Sequence, residues 1–183
     1  MDTMQYTHLY RSPLGTITLA ADSEGLTGLW FEGQKYFAAT LDAQHEETML
    51  PIFEQTRRWL DNYFGGNDPG PTPPLHLQGS PFRLAVWEIL RQIPFGKTIT
   101  YGEIAREIAR RQGSKTVPAQ AVGGAVGHNP VSIIVPCHRV VGSNGSLTGY
   151  AGGIDKKIGL LTLEGVDVGR LTLSKCKTKC KAP

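Results

Sequence analysis

The 183 residues are 40% hydrophobic and 19% charged, with 22 glycines and 12 prolines. That is enough apolar content to bury a core as one domain or two small ones, and it excludes a disordered chain. The formal net charge of +3 is unevenly divided: residues 1–79 hold 4 Lys/Arg against 10 Asp/Glu, whereas residues 80–183 hold 15 against 6, a balance of +9 that favours a polyanionic partner.

Thr16 to Ala21 alternates apolar and polar residues, Asp22-Ser23-Glu24-Gly25 reads as a turn, and Leu26 to Phe31 resumes with β-branched and aromatic residues, which predicts a hairpin. From Met49, Ile52, Phe53, Thr56, Trp59, Leu60 and Tyr63 recur near the 3.6 period of a helix, with one stripe to pack on that hairpin. Residues 65–74 contain too many glycines and prolines for an element, and the domain boundary is placed after this stretch, with a linker over 65–79. Ser80-Pro81 supplies an N-cap and a first-turn proline for a helix carrying Phe82, Ala85, Val86, Ile89, Leu90 and Ile93. After an extended Thr98 to Thr100 come two short helices, Tyr101 to Arg111 and Pro118 to Gly127, joined at Gln112-Gly113-Ser114. In a half that carries Arg106, Arg110, Arg111 and Lys115 this is a helix-turn-helix outline, shared by DNA binders and by purely structural helix pairs. The second of these helices is nearly free of side chains (Ala119, Ala121, Gly123, Gly124, Ala125, Gly127), so either a neighbouring helix or a nucleic acid approaches its backbone. Asp155 to Leu163 is the last helix, with Gly165 as its cap.

Val131 to Val135 has strand composition and delivers Pro136-Cys137-His138-Arg139 at its end. A cysteine there is either a small core hydrophobe or, with His138 as base, a nucleophile. Gly142, Gly145, Gly149, Gly152 and Gly153 around Tyr150 form a loop that lets backbone approach a ligand, although Ser143-Asn144-Gly145 also reads as a plain surface turn. Glu164 stands where it can orient His138 or simply end a helix in solvent. No apolar run reaches the roughly 18 to 20 residues of a membrane-spanning helix, and the N-terminus lacks a secretory layout. Three cysteines (Cys137, Cys176, Cys180) make neither a disulfide scaffold nor a zinc pattern. A soluble, cytoplasmic protein with reduced thiols, no metal, no cofactor and no membrane partner is expected. The lysine-rich tail, residues 169–183, with Cys176 and Cys180, reads as a reduced, solvated extension.

Ile133-Ile134-Val135-Pro136-Cys137-His138-Arg139-Val140-Val141, preceded by Ala121-Val122-Gly123-Gly124-Ala125 and Asn129-Pro130, resembles the O6-alkylguanine-DNA alkyltransferase family. The likeness runs from Ser80-Pro81-Phe82 to Glu164-Gly165, and Ser12-Pro13-Leu14-Gly15 resembles the start of the family's N-terminal domain. It implies an α+β fold: a small ribonuclease-H-like α/β domain over 1–79 and a mostly helical, winged-helix-like DNA-binding domain over 80–168. It implies a methylated-DNA-[protein]-cysteine S-methyltransferase that flips O6-alkylguanine out of double-stranded DNA. The alkyl group then passes irreversibly to Cys137, in a single turnover and with no obligate protein partner. O4-alkylthymine is a further candidate lesion.

By the same resemblance His138 is the water-relayed base, Glu164 orients it, Asn129 holds the turn ahead of the cysteine, and Tyr101 crowds the phosphate and donates to guanine N3. Tyr101, Lys115, Gln120, Arg139 and Ser143 contact DNA. Tyr150, the Ala151 amide and the Cys137 and Val140 carbonyls line the base pocket. Three positions depart from the family pattern: Gln120 in place of an intercalating arginine, Gly159 in place of a tryptophan, which removes an anchor from the last helix, and Ala151 in place of a serine. Two rival readings stay open, a non-catalytic damage sensor and a cysteine hydrolase built on Cys137, His138 and Glu164.

Overall fold

The computed structural model describes residues 3–147 and 149–171, so the Cys176 and Cys180 tail lies outside the described residues. Strands β1 (Gln5–Ser12), β2 (Gly15–Ala21) and β3 (Leu26–Phe31) form an antiparallel meander, and the short β4 (His45–Glu47) adds parallel to β1, giving the order β3-β2-β1-β4. The expected hairpin is β2 and β3. Its turn is closed by the Asp22 carboxylate, which accepts from the Glu24 and Gly25 amides at 2.9 and 3.2 Å. The helix α1 (Pro51–Phe64) buries Phe53, Thr56, Leu60 and Tyr63, and it packs on β1 and β2 as the stripe predicts.

Every residue of β3 is buried although it is the sheet's edge. Two segments cover that edge. Leu26 donates to Pro74 O and accepts from the His76 amide, and Leu29 donates to Pro130 O and accepts from the Ser132 amide, at 2.8–3.0 Å. Pairing an edge strand in this way satisfies its backbone groups. It also fastens the end of the proline-rich linker, and the turn ahead of Cys137, to the first sheet.

The second half follows the sequence closely. Ser80 caps α2 (Pro81–Arg91), accepting from the Arg83 amide at 3.3 Å. A reciprocal Thr100/Glu103 capping box opens α3 (Tyr101–Gln112), and Gly113 at φ 64° ends it. The helix α4 (Ala119–Gly127) completes the helix-turn-helix pair, and Trp87 Nε1 ties it to α2 by donating to Ala125 O at 2.8 Å. Strands β5 (Ile99–Thr100) and β6 (Val140–Val141) pair in parallel, and α5 (Ile154–Leu163) closes the fold before Gly165 at φ 79°. The fold is thus an N-terminal sheet unit followed by a helical unit. One cluster of buried residues runs through both, from Ile17, Leu29 and Phe53 to Trp87, Ile104, Val122 and Cys137.

One expectation changes. Val131 to Val135 is not a strand: only Val131 bridges to Leu29, and the chain then turns, with Ile133 at φ 69°. Apolar β-branched composition suggests extension, but side-chain bonds from Asn129 fold the segment back. Gly159 lies within the continuous α5, and a Cβ there would lie 3.0 Å from Leu14 Cδ2. A residue of the first unit occupies the space a large side chain would need.

Candidate active site

The cysteine is placed by its turn. Asn129 Oδ1 accepts from the Val131 amide at 3.0 Å while Nδ2 donates to Val135 O at 2.7 Å, which closes a compact loop around the left-handed Ile133. A β-branched residue at positive φ is strained and persists only where its surroundings over-determine it. Here two side-chain bonds and the pairing to β3 do so. The chain leaves this loop into a single 3-10 turn, Cys137–Arg139, with Cys137 only 4% exposed.

Behind the cysteine lies a fully satisfied carboxylate. Glu164 Oε1 accepts from His138 Nε2 at 2.6 Å, from the Tyr63 hydroxyl at 2.8 Å and from Arg139 Nη2 at 2.9 Å. Oε2 accepts from Arg139 Nε at 2.9 Å and from the Gly96 amide at 3.1 Å. Burial raises the Glu164 pKa, but the hydrogen bonds and charges of His138 and Arg139 outweigh it and hold the carboxyl down at about 2. Because a carboxylate can only accept, His138 carries its proton on Nε2. Its Nδ1 is buried and has no partner among the described residues, so that lone pair is available to a proton. Burial lowers the His138 pKa against the pull of Glu164, keeping the ring neutral at rest.

Arg139 requires a correction. Expected on the DNA surface, it is 8% exposed, and its guanidinium is spent on Glu164 and on Ile93 O, the latter at 2.6 Å, with Phe95 beneath it. A buried carboxylate needs a counter-charge, and Arg139, 25 positions away in sequence, supplies it. Sequence reasoning missed Tyr63 in this network. It was visible only as a member of α1's apolar stripe, and 101 positions separate it from Glu164.

It also missed Lys157. This lysine sits in the apolar face of α5, is fully buried and donates from Nζ to Val140 O at 2.5 Å. A lysine inside an otherwise apolar helical stripe was the available signal. Burial lowers its pKa to about 8, opposed by the charge of Cys137, so the two groups sense each other. Burial raises the thiol's pKa, offset in part by hydrogen bonding from Asn129 and by the Lys157 charge. Tyr101 opens α3 at the same site. Its hydroxyl donates to Gly149 O at 3.3 Å, and burial, then the charge of Cys137, pushes its pKa up to about 12. Val140 N–H is already bonded to Cys137 O, and Val140 O already receives Lys157, so each carbonyl offers one remaining lone pair to a ligand.

Gln120, Lys115 and Ser143 are all exposed. Gly123, Gly124 and Gly127 of α4 have nothing within 4 Å of a built Cβ, so no neighbouring helix explains them. They line an open cavity of about 620 Å³ together with Gly149, Tyr150, Ala151, Ile154, Lys35, Tyr36 and His128. A ligand pocket of roughly 300–1,000 Å³ is the usual size. Burial raises the pKa of the Tyr150 phenol, so it stays protonated.

Fold and site together define a two-part α+β protein with a helix-turn-helix and a buried cysteine followed directly by a histidine that is hydrogen-bonded to a buried carboxylate. Residues 81–166 match the DNA-binding domain of 6-O-methylguanine DNA methyltransferase, and residues 5–75 match its ribonuclease-like domain. The chain is 40% identical over 165 residues to a methylated-DNA--protein-cysteine methyltransferase of Haemophilus influenzae, covering 90% of this chain and 88% of that protein. A protein of the same name from Methanosarcina acetivorans is 43% identical over 162 residues, covering 87% and 98%. The crystal structure of Mycobacterium tuberculosis OGT in complex with DNA superposes with a TM-score of 0.75 at 39% identity, covering 91% of this chain and 94% of that one. The chain belongs to the 6-O-methylguanine DNA methyltransferase family.

Proposed function

We propose that this protein repairs DNA by direct reversal, moving the alkyl group of O6-alkylguanine in double-stranded DNA onto Cys137. The observation that carries the reading is the cysteine on its Asn129-locked turn, in front of the His138–Glu164 pair and within a helix-turn-helix unit. The names of the relatives, which describe methyl transfer from DNA to a protein cysteine, support it.

The target base must leave the stack, since the O6 substituent is otherwise enclosed. Tyr101, Gln120, Lys115 and Ser143 contact the duplex, and Tyr101 crowds the phosphate of the everted nucleotide. The base enters the cavity beside Tyr150, with the Ala151 amide facing O6. The thiol proton passes through a water to His138 Nδ1, and the imidazolium is stabilised by Glu164. Lys157 favours the thiolate. As the S–C bond forms, the C–O6 bond breaks. Tyr101 protonates guanine N3 and later recovers a proton from the imidazolium, so the thiol hydrogen ends on guanine. The thioether has no acyl carbon for water to attack, so the protein is consumed in one turnover. No step calls for a cofactor or an obligate protein partner, and chemistry that needs a reduced thiol fits a cytoplasmic setting. O4-alkylthymine shares the chemistry as a second lesion.

The test is a duplex bearing O6-methylguanine, followed by intact mass and by the repaired strand. One methyl gained at Cys137 per lesion removed is expected, and Cys137→Ala binds the duplex without transfer. Binding with no mass change would make the protein a sensor, and repeated turnover of a small ester would make it a hydrolase. Either result overturns the proposal.

A further inference from the structure

Tyr63 belongs to the first unit, in the last turn of α1, yet its hydroxyl reaches the buried carboxylate of the second. The residue is fully buried, and its ring is held by three aromatic neighbours: Trp59 stacked at 5.7 Å, and Phe64 and Phe95 edge-on at 5.3 and 6.0 Å. Phe95 comes from the second unit, so the ring is itself a contact between the two halves. Aromatic pairs at these separations keep their geometry by packing, which means that the ring's position does not depend on the hydroxyl.

The hydroxyl closes a triangle. It donates to Glu164 Oε1 at 2.8 Å, the same oxygen that accepts from His138 Nε2 at 2.6 Å, and it lies 3.4 Å from Nε2 itself. Burial, then the charge of Glu164, raises the phenol's pKa, so this donor keeps its proton at every working pH. His138 is faced by Glu164 and Lys157 from α5 and its end, by Tyr63 from α1, and by Cys137 and Arg139 from its own turn. Glu164 favours the imidazolium, and the charges of Arg139 and Lys157 oppose it. Each donor on Oε1 draws negative charge away from the bond to His138. A base for the thiol has to be neutral when the lesion arrives, and an unshared carboxylate at 2.6 Å works against that.

We propose, resting on the alkyltransferase reading above, that Tyr63 is a positioning residue for the transfer: its hydroxyl shares Glu164 with His138, loosens the carboxylate's hold on the imidazole and so keeps the base neutral and ready. The hydroxyl acts only through Glu164 and His138. The first half of the chain then takes part in the chemistry through one group.

The experiment uses the full chain and Tyr63→Phe, which keeps the ring and its aromatic contacts. His138 and Arg139 still donate to Oε1, so the buried carboxylate is not orphaned. Single-turnover methyl transfer from a duplex bearing O6-methylguanine is followed against pH by the mass gained at Cys137. Loss of one donor moves the acid midpoint of the profile up by about 0.5–1 pH unit, the equivalent of one net hydrogen bond. Transfer by the variant is therefore about three- to tenfold slower on the acid side of the midpoint and no slower than the parent's on the alkaline side. A second readout needs no DNA. In NMR spectra of isotope-labelled histidine in a Cys137→Ala background, Tyr63→Phe moves the Nε2-bound proton of His138 downfield, because its bond to the less shared carboxylate strengthens. Thr56→Val removes another buried hydroxyl of α1, one that donates to Ile52 O at 2.7 Å, and leaves that resonance where the parent has it. An unmoved midpoint, a rate that falls equally at all pH values, an Nε2 proton that stays or moves upfield, or an equal shift in Thr56→Val makes Tyr63 a packing residue and overturns the proposal. If the parent chain gains no methyl, the alkyltransferase reading falls, and the proton resonance still decides whether Tyr63 governs the bond between His138 and Glu164.

Discussion

Replacing Glu164 by glutamine tests the network that fixes His138. The carboxylate is the acceptor for five hydrogen bonds from four groups, Tyr63, Gly96, His138 and Arg139. A glutamine keeps one acceptor oxygen and turns an NH2 toward donors, leaving the buried guanidinium without its counter-charge. Removing one partner of a buried ion pair costs about 3–5 kcal/mol. The depression of the Glu164 pKa from 4.5 to about 2 gives a figure of similar size, about 3 kcal/mol at neutral pH. For a chain of this length that is a fall in Tm of roughly 6–20 °C. The pH dependence gives an independent check. Because the folded pKa lies below the unfolded one, the stabilisation is complete above about pH 4.5 and is lost as the pH falls toward 2. The two proteins therefore converge in stability across that window. Urea melts at several pH values measure both quantities. A loss below about 1 kcal/mol at pH 7 with an unchanged m value, or parallel curves between pH 4.5 and 2, would refute the account of this carboxylate.

Gly124→Ala separates stability from repair: with open space at the Cβ, it stabilises α4 by about 0.5–1 kcal/mol in a melt yet slows single-turnover transfer by filling the cavity wall. Transfer as fast as the parent's would show that the glycines serve no ligand. Lys157 has a folded pKa of about 8 against an ordinary 10.5, so the folded state releases its proton first and stability rises with pH across that interval. In a Cys137→Ala background this rise is present, and Lys157→Met removes it; the same dependence of stability on pH in both proteins, from urea melts between about pH 8 and 10.5, would contradict the burial of the cation. Gln120→Arg restores a cation that inserts into the vacated stack and raises the rate of repair of duplex DNA. An unchanged rate would mean that the glutamine already captures the extruded state.

Local signals in this sequence act over a few residues, and where they did so the elements could be read directly. Ser80-Pro81 starts α2, and Gly113 and Gly165 end helices, because caps and left-handed glycines are decided by neighbouring backbone groups. The Pro136-Cys137-His138-Arg139 run marked the candidate nucleophile and base, and the resemblance named Glu164 and Asn129. The segment before Cys137 misled, since its β-branched composition favours extension and only the side chain of Asn129, reaching both Val131 and Val135, converts it to a turn.

What no stretch of sequence determines is which polar groups meet inside the core. Arg139 looks like a surface cation until Glu164 is seen to need one, and Tyr63 belongs to an apolar stripe until α1 docks and carries its hydroxyl to that carboxylate. The edge of β3 and the Lys35–Tyr36 turn reach the second half only because the two units share one core. Composition, caps and the cysteine motif are properties of the chain read locally. The desolvated charge network and the shape of the cavity come from distant segments brought together, where burial makes each unpaired polar group costly and so selects its partners.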